Sequence, residues 1–171
     1  LGDGLVNQLY GRLDHYIGDS DALMFRYNLS HTRSLEPFGD DSDVPGFGNF
    51  TLDRGQNLAA SNTHVFTPFT ILETRFGFNR LRREVLHQNA GNDIGGNLGI
   101  PGLSTDSRFT GFPAINVAGF SNLADDVALP IVREDNTYHV VANMMHVDQR
   151  HAYKWGFEYR KVTIDGIQGL F

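Results

Sequence analysis

The sequence predicts an all-β chain, an antiparallel up-and-down transmembrane β-barrel segment of about six strands from a larger barrel, with long external loops. Three observations carry this. The 13 Phe, 6 Tyr, 1 Trp and 19 Gly among 171 residues make a composition of aromatic-rich strands joined by turns. Apolar and polar residues alternate with period two in several runs. The connections between those runs are short, long, short, long and short, whereas compact soluble domains seldom carry long structureless loops.

Taken in order, residues 9–17 put Leu9, Leu13 and Ile17 on one parity and Arg12 and Asp14 on the other, a strand. Gly18-Asp19-Ser20-Asp21 is a turn cluster. Leu23, Phe25, Tyr27 and Leu29 then alternate against Met24, Arg26, Asn28 and Ser30, which completes a hairpin. Residues 31–55, rich in Gly, Asp and Pro, read as a long loop. Residues 56–66 are a weaker strand, with Leu58, Ala60, His64 and Phe66 sharing a parity with Asn62. After the tight connection Thr67-Pro68-Phe69, residues 70–81 set Leu72, Thr74, Phe76 and Phe78 against Glu73, Arg75, Gly77 and Asn79. Residues 82–135 read as a second long loop, punctuated by Gly and Pro, with room for a short strand at 114–117. Residues 136–147 are β-rich but mixed in parity, and Asp148-Gln149-Arg150 turns the chain. The sixth strand is the sharpest, with Tyr153, Trp155, Phe157 and Tyr159 against Lys154, Gly156, Glu158 and Arg160, and the pattern fades from residue 161 onward.

A net charge of −6 excludes a broadly basic surface, so nucleic acid is not an expected partner. Without Cys, disulfides and thiolate chemistry are absent. No apolar run is long enough for a membrane helix, but a membrane strand puts only alternate residues into lipid and needs none. Backbone polar groups in hydrocarbon need internal partners, so strands cross a bilayer only in a closed barrel with the apolar residues outside. That parity assigns Leu23, Phe25, Tyr27, Leu72, Phe76, Phe78, Tyr153, Trp155, Phe157 and Tyr159 to lipid. It assigns Arg26, Glu73, Arg75, Lys154, Glu158 and Arg160 to the lumen. Closed single-chain barrels start at about eight strands, so residues 1–171 are expected to be one partial barrel domain. The alternative is a soluble secreted β-domain with one wet face, binding carbohydrate or protein through Phe38, Phe47, Phe50 and Phe112. Its core would more often use Val, Ile and Leu than aromatic rings.

Chemistry is sparse. Asp40-Asp41-Ser42-Asp43 and Asp19-Ser20-Asp21 offer oxygens of the kind calcium takes, but match turn formation better than the spaced ligands of a calcium loop. His146, Asp148 and His151 flank a turn and are the one set that suggests a transition metal or an enzyme. No nucleophile elbow, H-E-x-x-H or phosphate-binding glycine loop occurs, and Asp125-Asp126 are merely adjacent carboxylates. No enzyme activity, metal or cofactor is expected.

Several segments resemble a known family. Asn7-Gln8-Leu9-Tyr10-Gly11-Arg12-Leu13-Asp14-His15 and Asp21-Ala22-Leu23-Met24-Phe25-Arg26-Tyr27 are similar to early barrel strands of TonB-dependent outer-membrane receptors. The similarity is greatest to the Oar-like subgroup, whose members carry a carboxypeptidase-regulatory-like domain. Asn57-Leu58-Ala59-Ala60-Ser61-Asn62-Thr63-His64-Val65-Phe66-Thr67-Pro68 and Glu73-Thr74-Arg75-Phe76-Gly77-Phe78-Asn79-Arg80 extend it. So do Gly99-Ile100-Pro101-Gly102 and Gly156-Phe157-Glu158-Tyr159-Arg160, so that nearly the whole chain is spanned. The resemblance implies a barrel of about 22 strands around a plug, importing a large nutrient across the bacterial outer membrane. Its implied partners are outer-membrane lipid, TonB acting through the plug, and an unidentified large ligand. Plug, TonB-contacting segment and regulatory-like domain are not found in these residues, and Phe171 is read as a truncation point because Asp165 and Gly169 interrupt the alternation.

Overall fold

A computed structural model describes residues 3–38, 44–120 and 122–169. It contains six long strands: β1 (Asp3–Ile17), β2 (Asp21–Glu36), β3 (Asn49–Thr67), β4 (Thr70–His87), β5 (Ile131–Asp148) and β6 (His151–Gln168). One short helix, α1 (Ile94–Asn97), sits in the β4–β5 connection, where the Asp93 carboxylate accepts a hydrogen bond from the Gly96 N–H. The strands form a single antiparallel sheet in sequence order. Tight turns at 18–20, 68–69 and 149–150 lie at one end, and the connections 37–48 and 88–130 at the other.

The pairing register decides how the parities of separate strands combine, because directly opposed residues in an antiparallel pair share a face. Leu13, Phe25, Ala60, Phe76, Val140 and Tyr159 form one continuous row. The apolar sets of β2, β4 and β6 therefore lie on the same face, and Arg12, Arg26, Arg75 and Glu158 on the other. Register also resolves β5, which alternation alone left mixed: Tyr138, Val140, Ala142 and Met144 join Phe76, and Thr137, His139, Val141 and Asn143 join Arg75. A register irregularity between Val65 and Thr67 takes Phe66 out of the ladder, while the polar Asn62 and His64 that weaken the β3 pattern stay in register on the apolar face. The apolar run begins on β1 at Leu5 and lies nearer the tight turns on β6, the stagger expected of tilted barrel strands.

The two loops are shorter than the sequence predicts. Residues 31–36 and 49–55 belong to β2 and β3, residues 82–87 and 131–135 to β4 and β5, and residues 161–168 continue β6. These extensions carry charge on both faces, as in Arg82-Arg83-Glu84 and Arg133-Glu134-Asp135, so they pair as strands without alternating in polarity. The short strand expected at 114–117 is an isolated bridge from Ile115 to Leu123. The Asp40–Asp43 cluster and Phe171 lie outside the described residues.

Between strands there is no sealed core. Among the described residues the buried hydrophobic side chains are Phe47, Ala124 and Leu129, all in the connections at the end opposite the tight turns, while Phe157 is 62% and Trp155 54% exposed. A water-soluble sheet with one wet face must cover its apolar side, and here that side is bare. β1 and β6, the two edges, do not touch.

Candidate functional site

The polar face is built from side chains two residues apart, the spacing that keeps strand neighbours on one side. Arg12 donates to both oxygens of Asp14 at 2.7 and 2.9 Å, and the Arg75 guanidinium reaches Glu73 Oε1 at 2.9 and 2.5 Å. Arg133 holds Asp135 in the same way. On β5 and β6, His139 Nε2 lies 2.8 Å and Arg160 3.4 Å from Glu158 Oε1. Four of the residues assigned to the lumen thus meet in two groups, Glu73 with Arg75 and Glu158 with Arg160. Arg26 sits opposite Arg12 and Lys154 opposite Met145, and neither joins those groups.

At the outer end of this face the long connections fold back onto the sheet. His87, the last residue of β4, shares the parity of Glu73 and Arg75, and Asp125 from the 88–130 connection meets it. The Nδ1 to Oδ2 distance is 3.1 Å, and both side chains are at least nine-tenths buried. Asp125 also accepts from the Phe112 N–H at 2.6 Å and from Asn89 Nδ2 at 2.8 Å. Burial pushes the Asp125 carboxyl up, but the adjacent His87 ring and the hydrogen bonds from the Phe112 N–H and Asn89 more than offset it, and the pKa ends below the usual carboxylate range, although His87 Nδ1 itself makes no well-aligned hydrogen bond. Gly111 is required beside the pair, since a Cβ there would overlap the His87 ring and come within 2.7 Å of Asp125 Oδ2. The shorter connection is tied in as well: Asn89 donates to the Gly46 carbonyl at 3.0 Å, and Phe47 meets Phe112 edge-to-face at 5.0 Å between centroids.

Above the His87–Asp125 pair is an open cavity of about 740 Å³, lined among others by Ile100, Leu103, Phe109, Phe112, Val127 and Leu129. Its size and its apolar walls with a few fixed polar groups are those of a small-molecule pocket. Phe47 and Phe112, which the sequence offers as exposed binding aromatics, instead pack against each other, whereas Phe38 is 52% exposed.

The remaining histidines are dispersed. Asp148 and His151 are opposed in register, but His146 Nδ1 lies 2.7 Å from Thr70 Oγ1 and the His151 ring is tilted against Tyr153 at 6.0 Å between centroids, so the three do not form a metal-holding group. Asp21 of the turn cluster is taken by His64 and Asn62. Among the described residues no three His, Asp or Glu side chains are placed to hold a metal ion. Sequence reading missed the His87–Asp125 pair. The parity of His87 was available had β4 been extended, but its partner comes from a loop with no periodic signal.

A family model described as an outer membrane beta barrel domain matches residues 4–171. Comparison with curated proteins and with solved structures returned no match. The match spans almost the entire sheet, whose order, loop arrangement and bare apolar face are those of such a barrel, and the chain accordingly belongs to the outer membrane beta barrel domain family and resides in the bacterial outer membrane.

Proposed function

We propose that this chain is barrel wall of a TonB-dependent receptor, taking part in energy-coupled uptake of a large nutrient and performing no catalysis itself. The observation that carries this reading is the separation of faces at a single register. Leu23, Phe25, Tyr27, Leu72, Phe76, Phe78, Tyr153, Trp155, Phe157 and Tyr159 lie on one side, and Arg26, Glu73, Arg75, Lys154, Glu158 and Arg160 on the other. In this reading the first set faces acyl chains and the second lines the lumen, where fixed charges meet a plug or passing ligand. The resemblance of the strand motifs to TonB-dependent receptors supplies the transport class. The described parts of the connections, with 88–130 anchored over the polar face by His87 and Asp125 and Gly46 and Phe47 tied to it, are the first surface a ligand meets from outside.

Two measurements on the intact protein test this. In cells, photocrosslinking is expected to trap TonB on it, and in planar bilayers the protein is expected to stay closed. A steady open conductance with no TonB crosslink overturns energy-coupled uptake in favour of a passive pore.

A further inference from the structure

We infer that the outward face of β2–β4, immediately beyond the apolar band, is a docking site for the phosphorylated headgroup of an outer-leaflet membrane lipid; the inference rests on the reading of the Phe76 side as lipid-facing. One row of opposed residues there runs Asn7, His31, Arg54, Arg82, Glu134 and Asp165. Arg33 lies one row further out on β2 and Arg80 one row further in on β4, on the same face. Paired strands are about 4.8 Å apart, so Arg54 and Arg82 stand side by side with His31 next to them, and opposed like charges such as these two guanidinium groups are unfavourable unless an anion lies between them.

The carboxylates on this face are committed to other cations, distant, or, like Asp3 diagonal to Arg33 across β1–β2, outside ion-pair distance. Arg80 is paired with Glu134 and Arg82 with Glu84. Asp165 is on β6, three strands from Arg54. Among the described residues no carboxylate is within ion-pair distance of Arg33 or Arg54, and both residues are exposed. Arg33 is oriented by Phe50, with its guanidinium carbon 5.2 Å from the ring centroid. The patch therefore presents two guanidinium groups without a carboxylate partner, beside two that are neutralised by Glu134 and Glu84.

Position identifies the occupant. Moving toward the tight turns on the same face, the next row is Leu29, Gln56 and Arg80, and the one after it Tyr27, Leu58 and Phe78. A molecule seated here meets cations at one end and the apolar band at the other, which fits an anionic head with acyl tails better than a peptide or nucleic acid. Guanidinium forks match phosphate oxygens in bidentate fashion, and basic side chains at a membrane surface add attraction for anionic headgroups.

The test uses the intact protein in detergent, titrated with bis-phosphorylated lipid A and followed by native mass spectrometry. R33Q/R54Q is expected to bind roughly thirtyfold more weakly than the parent. R33K/R54K, which keeps the charge but not the planar fork, is expected to fall between R33Q/R54Q and the parent, and R150Q, at the opposite end of the sheet, to retain the parent affinity. A fluorophore at F157C, with acyl chains brominated in a parallel bilayer sample, reports the underlying reading. Unchanged affinity in R33Q/R54Q with quenching at F157C overturns the lipid site and leaves the lipid-facing assignment intact, while absence of quenching overturns both. Inorganic phosphate binding as tightly as the lipid overturns the choice of a lipid occupant.

Discussion

Asp125 concentrates the polar contacts of the outer end: two side chains and one backbone N–H converge on a single buried carboxylate. Its pKa is lowered in the folded state. The carboxylate form is thus the one the fold favours, and the associated stability is present above the unfolded value of about 3.9 and is lost as pH falls through the lower folded value. Hydrogen exchange at the Phe112 N–H, corrected for the intrinsic rate, is expected to accelerate in that acid window and to stay flat near neutrality. D125N keeps the shape but not the charge, and is expected to weaken anchoring of the 88–130 connection by about 1–3 kcal/mol, read as the same loss of protection at neutral pH. G111A tests the close approach from the other side. The added methyl has no space beside His87 and Asp125, and a cost of roughly 1–3 kcal/mol is expected, measured as faster proteolysis of the loop with the barrel intact.

For the strands, polarity of environment changes along the length as well as between faces. β3 has 19 residues and β4 18, against the roughly 9–11 that a tilted strand needs to cross a bilayer. Alternation marks the crossing part only, since there one side meets hydrocarbon. Beyond it both sides meet water, and residues such as Asp53 with Arg54, or Arg82 with Arg83, carry no parity that could distinguish strand from loop. That is why residues 31–36 and 82–87 read as loop in sequence and pair as strand in the structure. A pair of substitutions follows at this level. F76R places a charge on the apolar face mid-band and is expected to cost about 2–4 kcal/mol in equilibrium folding into bilayers, whereas T137R, on the polar face, is expected to be close to neutral.

Considered whole, the molecule is a sheet with two unpaired edges and one bare apolar face, held together by hydrogen bonds between strands and at the outer end by the two packed connections. Such edges invite pairing with other chains. The 171-residue chain by itself is therefore expected to associate in plain buffer and to disperse only with detergent, as checked by light scattering. A monomer that unfolds cooperatively without detergent contradicts the membrane-strand reading of its faces.

The amino-acid order alone determined the strand count, the alternation of short and long connections, and the opposed parities of β1, β2, β4 and β6, because period-two polarity is a local property of neighbouring residues. It did not determine register, which depends on backbone pairing between strands distant in sequence. Register alone placed Leu13, Phe25, Phe76, Val140 and Tyr159 in one row, settled the side of β5 and set Arg54 between His31 and Arg82. Tertiary structure likewise decided the meeting of His87 with Asp125, since a buried polar pair contributed by a strand end and an aperiodic loop leaves no trace in the spacing of residues.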